Sequence, residues 1–260
     1  MDLDIKGKVA IVTGGARGIG AGIVEGFAKE GANIVISDIM FDDAQGLAKK
    51  LANGGANVLA VRTDVTKKSD TENLVSATLH EFGKIDILVN NAGVLKVTSF
   101  VDLDEEEWDR VNDVNAKGTY MISRAVVPHM ITAKQGKIVN ISSLAGKRGS
   151  PGLAHYSASK FAIIGITQTL AKELGEYNIN VNAVCPGILR TQMWEAILDG
   201  RATRQGIPRE QVWNEWIETI PLKRPQTTGD IANVVLFLSS EVARNITGEA
   251  ISVNGGLWMD

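Results

Sequence analysis

Seven short runs of β-branched and aliphatic residues recur along this chain, and most gaps between them carry a helical period. The runs are Val9–Thr13, Asn33–Ser37, Asn57–Arg62, Ile85–Asn90, Lys137–Ser142, Asn180–Cys185 and Ala250–Val253. They are nearly continuous in apolar residues, as parallel strands buried on both faces are. Between them, apolar residues fall at i, i+3 and i+4 in Ile19–Glu30, Ala44–Asn53, Ser69–Phe82, Glu105–Ala133, Ala158–Tyr177 and Asp230–Ser239. Strand and helix alternating at these lengths predict one doubly wound parallel sheet with helices on both faces. No internal repeat, low-complexity tract or linker interrupts the pattern, so residues 1–260 read as one α/β domain.

One segment breaks the rhythm. Residues 187–221 separate two sheet elements where a connection normally takes ~2–6 residues. It holds Trp194, Trp213 and Trp216, three of the five tryptophans. A long aromatic excursion at the carboxyl end of a strand predicts a helical lid or pocket wall.

Charge and targeting signals exclude several classes. The net charge is −3, with 27 basic and 30 acidic residues, so no basic field is available to track a nucleic acid. No apolar run approaches ~18 residues, and the first residues form neither a signal h-region nor a transit peptide. The single cysteine, Cys185, permits no internal disulfide, which suits a reducing, cytoplasmic compartment. His80, His129 and His155 are far apart and lack ligand spacing, so no catalytic metal is expected.

The chemistry begins with glycine, which is 27 of the 260 residues. The first strand runs into Gly14-Gly15-Ala16-Arg17-Gly18-Ile19-Gly20 and then a helix. Such a turn lets a pyrophosphate approach the backbone, and the next helix offers free N–H groups and a positive dipole end. Asp38 ends the second strand, 18 residues beyond Gly20, where an acid binds a ribose 2′-hydroxyl and repels a 2′-phosphate. The next residues supply no base, so the expected cofactor is NAD; Arg17 is the one group that could soften this preference.

Tyr156 and Lys160 stand at i, i+4 near the start of a helix and share a face. A tyrosine working near neutral pH must lose about three units from its usual pKa of ~10. A cation about 4 Å away is a sufficient cause, so Lys160, helped by a positively charged nicotinamide, is expected to pull Tyr156 down. Ser143 lies thirteen residues before Tyr156 at a strand end, placed to donate to a substrate oxygen. Asn90-Asn91-Ala92-Gly93, Asn115 and Cys185-Pro186-Gly187 fall at the same carboxyl rim of the sheet.

Taken together, TGGARGIG (Thr13–Gly20), NNAG (Asn90–Gly93), Asn115, Ser143, YSASK (Tyr156–Lys160) and Pro186-Gly187 resemble the short-chain dehydrogenase/reductase family. The resemblance runs from Gly7 to Gly256. It implies a Rossmann fold with a seven-stranded parallel sheet, a nicotinamide cofactor and a homotetramer. Mapped by position, it implies Tyr156 as acid/base and Ser143 as substrate-orienting hydroxyl. Lys160 would tune Tyr156 and hold the nicotinamide ribose, and Asn115 would hold a water in a proton relay. It implies a cofactor lining of Gly14, Arg17, Gly18, Ile19, Asp38, Asp64, Val65, Asn91, Gly93, Pro186, Gly187, Ile188 and Thr191, besides Tyr156 and Lys160. An interface Mg²⁺, found in relatives, stays open.

Substrate is the open question. Gly187–Trp194 is similar to the diol, polyol and acetoin branch of the family, which implies a small polar secondary alcohol such as a diol, polyol or sugar interconverted with its ketone, and Met193 and Trp194 as substrate contacts. Lys96, Lys147, Arg148 and Arg190 lie near the rim by sequence, so a sugar acid or sulfonate is also open. A 3-oxoacyl thioester reductase is the other enzymatic alternative, and a non-catalytic nucleotide-binding protein would not need Ser143, Tyr156 and Lys160 together. His155 is expected at the pocket rim or in packing, and Cys185 as a small buried side chain.

Overall fold

In the computed structural model, which describes residues 2–259 apart from the side chains of Met193, Ala196 and Arg204, seven parallel strands form one sheet. They are β1 (Val9–Thr13), β2 (Asn33–Asp38), β3 (Asn57–Arg62), β4 (Ile87–Asn90), β5 (Gly136–Ile141), β6 (Ile179–Pro186) and β7 (Ala250–Val253). The order across the sheet is β3-β2-β1-β4-β5-β6-β7, so the chain reverses direction of growth between β1 and β4. Every residue of β1, β4, β5 and β6 is buried, which is why those runs lack an alternating pattern.

The helices are α1 (Gly18–Lys29), α2 (Phe41–Asn53), α3 (Lys68–Phe82), α4 (Glu105–Asn112), α5 (Gly118–Ala133), α6 (Ala154–Leu174), α7 (Gln192–Gln205), α8 (Arg209–Thr219) and α9 (Thr228–Leu238). Two apolar layers sandwich the sheet. One joins Ile23, Phe27, Ile36 and Val235; the other joins Leu74, Leu88, Ile122 and Val181. Among the described residues no helix is long and apolar enough to cross a membrane.

Two departures from the sequence reading bear on function. The Glu105–Ala133 period is not one regular helix: Asp113–Lys117 is a π-turn between α4 and α5. A π-turn rotates the residues it contains off the helix's regular stripe, and here Asn115 is one of them. Residues 187–221 do form two helices, α7 and α8, which carry a small core of their own around Leu198, Val212 and Ile220.

Candidate active site

The first βα turn is shaped by close chain approach. A Cβ on Gly20 would lie 2.0 Å from the Gly14 carbonyl oxygen, and one on Gly14 would lie 2.8 Å from Ala92 Cα. Gly14 also has φ +61°, which disfavours an L side chain. The sharp turn therefore needs glycine before any ligand is considered. Asn91 braces it, with Nδ2 donating to the carbonyls of Thr13 (3.0 Å) and Gly14 (2.9 Å). No side chain caps the first turn of α1, and no acid sits in it. Its N–H groups are thus available to an anion, and the cradle fits a dinucleotide pyrophosphate.

Asp38 is held rather than mobile. Its Oδ2 accepts from Ala16 N (3.0 Å) and its Oδ1 from Met40 N (2.9 Å). Arg17 forms an ion pair with Asp43 at 2.5 Å. Asp64, at the end of β3, accepts from Thr66 N and Oγ1, and these hydrogen bonds hold its carboxyl below its usual pKa.

Gly14, Arg17, Gly18, Ile19, Asp38, Asp64, Val65, Asn91, Gly93, Pro186, Gly187, Ile188 and Thr191 all line one cavity of about 1470 Å³. Ser143, Tyr156, Lys160 and Trp194 line it too. The structure therefore brings together every site residue expected from the sequence except two. The Met193 side chain lies outside the described residues. Asn115 is fully buried and stands behind the wall.

The Asn115 amide is nearly fully committed. Oδ1 accepts from Val94 N (2.8 Å), and Nδ2 donates to Val94 O and Ser159 Oγ, both at 3.0 Å. Both donors are in use, and one lone pair of Oδ1 remains. Gly93 separates this amide from Lys160: a Cβ there would lie 3.3 Å from Asn115 Oδ1 and 3.5 Å from Lys160 Nζ. That glycine is what allows the two groups to approach one another.

Ser142 and Ser143 both line the cavity but take different partners. Ser142 donates to Lys160 O at 2.9 Å. Ser143 Oγ accepts from Ala145 N at 3.1 Å, and its hydroxyl neighbours the Tyr156 phenol.

These side chains by themselves do not lower the tyrosine. Burial pushes the Tyr156 phenol up to about 12, with the neighbouring Ser143 hydroxyl opposing this. Lys160 does not overcome burial here. Its Nζ donates to Ile141 O at 2.9 Å and lies 5.6 Å from the Tyr156 ring centroid. Burial also lowers the Lys160 ammonium to about 8, which leaves it mostly charged at neutral pH. A cationic nicotinamide beside the phenol would add attraction that these residues alone do not supply.

His155 does not reach the rim. It is fully buried, its ring nitrogens have no hydrogen-bond partner, and Nε2 lies 3.8 Å from Glu107 Oε1. Burial lowers its pKa. Cys185 is fully buried at the end of β6.

The far end of the cavity was only partly legible in the sequence. Trp194 and Trp216 meet edge to face, with centroids 5.0 Å apart and planes at 81°. Trp213 instead packs beneath them in the α7–α8 core. Of the four basic residues near the rim by sequence, only Arg148 lines the cavity. Arg190 pairs with Glu195 and Glu210. Lys147 donates to Ala250 O and Ser252 Oγ. Arg201, on α7, was not singled out because no local motif marks it; only packing of α7 over the sheet brings it to the cavity.

Comparison with known proteins agrees with this architecture. A family model described as Enoyl-(Acyl carrier protein) reductase matches residues 14–258. The chain is 41% identical to 3-oxoacyl-(acyl-carrier-protein) reductase FabG of Chlamydia muridarum, over 96% of this chain and 97% of that protein. It is 38% identical to the same-named reductase of Thermotoga maritima, over 97% and 98%. It is 39% identical to oxidoreductase UcpA of Salmonella typhimurium, over 97% and 95%. Among solved structures, an actinorhodin polyketide ketoreductase variant with NADPH superposes with a TM-score of 0.94 and 32% identity, covering 96% of this chain and 97% of that one.

Proposed function

The chain belongs to the short-chain dehydrogenase/reductase family, an oxidoreductase acting on CH–OH groups and ketones, and on that footing we propose that it is an NAD(H)-dependent reductase of a 3-oxoacyl-type ketone. The carrying observation is that Ser143, Tyr156 and Lys160 line one cavity together, with the Asn115 amide buried behind them. A nicotinamide dinucleotide, when bound, supplies or accepts the hydride. The remaining chemistry belongs to these side chains. As negative charge builds on the substrate oxygen, Ser143 donates a hydrogen bond to it and Tyr156 delivers its proton. The phenolate left behind is stabilised by the nearby Lys160 ammonium. The free lone pair of Asn115 Oδ1 is the place for a water returning the proton towards Lys160.

Cofactor preference rests on Asp38. Both of its oxygens are oriented by backbone amides, and Arg17, the candidate phosphate ligand, is paired with Asp43. A 2′-phosphate would meet a fixed carboxylate, and Arg17, the cavity-lining base of the glycine turn, is already paired with Asp43. The related ketoreductase was solved with NADPH, so the preference separates this chain from that one.

The diol and polyol reading ranks second. It is supported by the Gly187–Trp194 resemblance, whereas three relatives named above are ketone or 3-oxoacyl reductases. The α7–α8 segment serves as the substrate lid in either case. Assembly into a homotetramer fits the half-exposed Tyr120 and Phe161 on α5 and α6, which a partner would cover.

Initial rates with NADH and NADPH on acetoacetyl-pantetheine, and with NAD on 2,3-butanediol and xylitol, test these readings. NADH is expected to exceed NADPH at least about ten-fold in kcat/KM, equivalent to ~1.4 kcal/mol. Equal or reversed preference overturns the cofactor reading. Faster turnover of the diols than of the thioester overturns the 3-oxoacyl reading.

A further inference from the structure

The charges lining the cavity are unevenly paired. Asp38 and Asp64 close the ends of β2 and β3, and Asp113 is paired with Lys117 in the π-turn. On the basic side, Arg17 is paired with Asp43, Arg110 with Glu107, and Lys160 with the Ile141 carbonyl. Arg148 and Arg201 remain. Both line the cavity, and neither has a carboxylate partner among the described residues. Arg148 follows β5 and Arg201 sits on α7 beyond β6, so both lie on the side of Tyr156 away from Asp38 and Asp64.

Each of these guanidinium groups is held over an indole. Arg148 Cζ lies 4.9 Å from the Trp258 ring centroid, and Arg201 Cζ lies 5.0 Å from that of Trp216. Cation–π contact of this kind is weak where water competes, so it positions the group without neutralising it. A guanidinium seated on a ring by its face keeps its N–H donors in its own plane, where they match a carboxylate or phosphate bidentately. Trp216 itself is locked edge to face against Trp194. Arg201 is half-buried and loses part of its hydration there, a cost that a cavity end built only for a neutral alkyl chain would leave uncompensated, while Arg148 stands exposed at the rim.

We propose that Arg148 and Arg201 form an anion subsite, and that the ketone substrate carries a negatively charged group distal to its reacting carbonyl. This rests on the reading of Ser143 and Tyr156 as the carbonyl-reducing pair. Two substrates supply that chemistry: a free oxo acid, through its carboxylate, and an oxoacyl thioester, through the phosphate of its pantetheine arm.

The test compares four probes with the same carbonyl: acetoacetate, methyl acetoacetate, and acetoacetyl-pantetheine with and without its 4′-phosphate. Each is assayed with NADH on wild type, Arg201→Gln, Arg148→Gln and the double variant. At least one anionic probe should have a KM about ten-fold below its neutral counterpart, and which pair shows it identifies the source. Arg201→Gln should raise the KM of that anionic probe at least about ten-fold more than that of its neutral counterpart, with the KM for NADH unmoved. Equal KM values within both pairs, or losses that ignore probe charge, overturn the subsite.

A second readout does not need turnover. Acetoacetate or 4′-phosphopantetheine titrated into the protein should quench tryptophan fluorescence saturably, and Arg201→Gln should abolish this. If no probe is reduced but the Arg-dependent quenching is present, the carbonyl-reducing reading fails and the anion subsite stands. If the probes are reduced but neither anion quenches, the subsite alone fails.

Discussion

The wall carrying Ser143, Tyr156 and Lys160 and the wall made by α7 and α8 line one cavity, yet different forces fix them. On the first wall, Asn115, Ser159, Lys160 and Ser142 are all at most 4% exposed, and each is hydrogen-bonded to its neighbours or to a strand end. On the second, Arg190 pairs with Glu195 and Glu210, and Arg209 with Asp199 (3.0 Å) and Glu195. Those side chains are all more than a third exposed. A reacting oxygen must be met to within a fraction of an ångström, so the chemical wall is anchored in the sheet. A wall that selects substrates can rest on surface ion pairs and aromatic contacts, which re-pack at low cost.

The largest effect should come from the first wall. Tyr156→Phe removes the only proton that can reach the substrate oxygen from the phenol, and kcat should fall by about 10²–10⁴. The dissociation constant for NADH should stay unchanged. Wild-type turnover in this variant would remove the chemical distinction between the walls.

Asn115→Ala leaves Val94 N, Val94 O and Ser159 Oγ short of a partner at a fully buried position. A loss of about 1–3 kcal/mol in urea unfolding is expected, along with reduced kcat. Full stability with reduced kcat would mean that the amide acts on the proton path alone and does not hold the wall.

The Lys160 ammonium gives the first wall a pH signature. Its folded pKa of about 8 lies below its ordinary 10.5, so between these values the unfolded chain binds more protons than the native one. Stability should therefore rise as pH climbs from about 8 towards 10, where Tyr156, raised to about 12, begins to oppose it. Lys160→Met should flatten the rise, measured as urea midpoints across that range. A rise that persists in the variant would assign it to another group.

Smaller effects belong to the second wall. Trp216→Leu breaks the edge-to-face pair with Trp194 and should cost about 1 kcal/mol of stability. It should also raise the substrate KM about ten-fold with kcat nearly kept. A collapse of kcat instead would show that α8 shapes the reacting centre. Smallest of all, Arg209→Gln should change stability by about 0–1 kcal/mol, because its ion pairs are exposed. A loss of several kcal/mol would mean that the lid is as rigidly anchored as the sheet.

The contrast also explains what could be read in advance. Continuous apolar runs marked all seven strands because both faces of the sheet are covered, and strand boundaries moved by only a residue or two. Tyr156 and Lys160 share a helix face by spacing alone, whereas Ser143 is singled out from Ser142 by the family resemblance. Arg201 was not legible. It stands in a helix with no motif, and its contact with Trp216 depends on how α7 packs on α8. The partner of Lys160 was hidden for a related reason. Sequence spacing placed Lys160 on the same helix face, but it could not show that Ile141 O takes the ammonium.

Periodicity, conformational restriction and functional-group chemistry make the sheet, the glycine turn and the candidate proton-moving side chains readable from chain order alone. Tertiary structure decided the pairings. Asp43 takes Arg17, Glu107 takes Arg110, and Glu195 and Glu210 take Arg190, while Arg148 and Arg201 are left facing the cavity. Which charges remain without a counter-ion is a property of distances between elements remote in sequence, and one-dimensional order does not contain it.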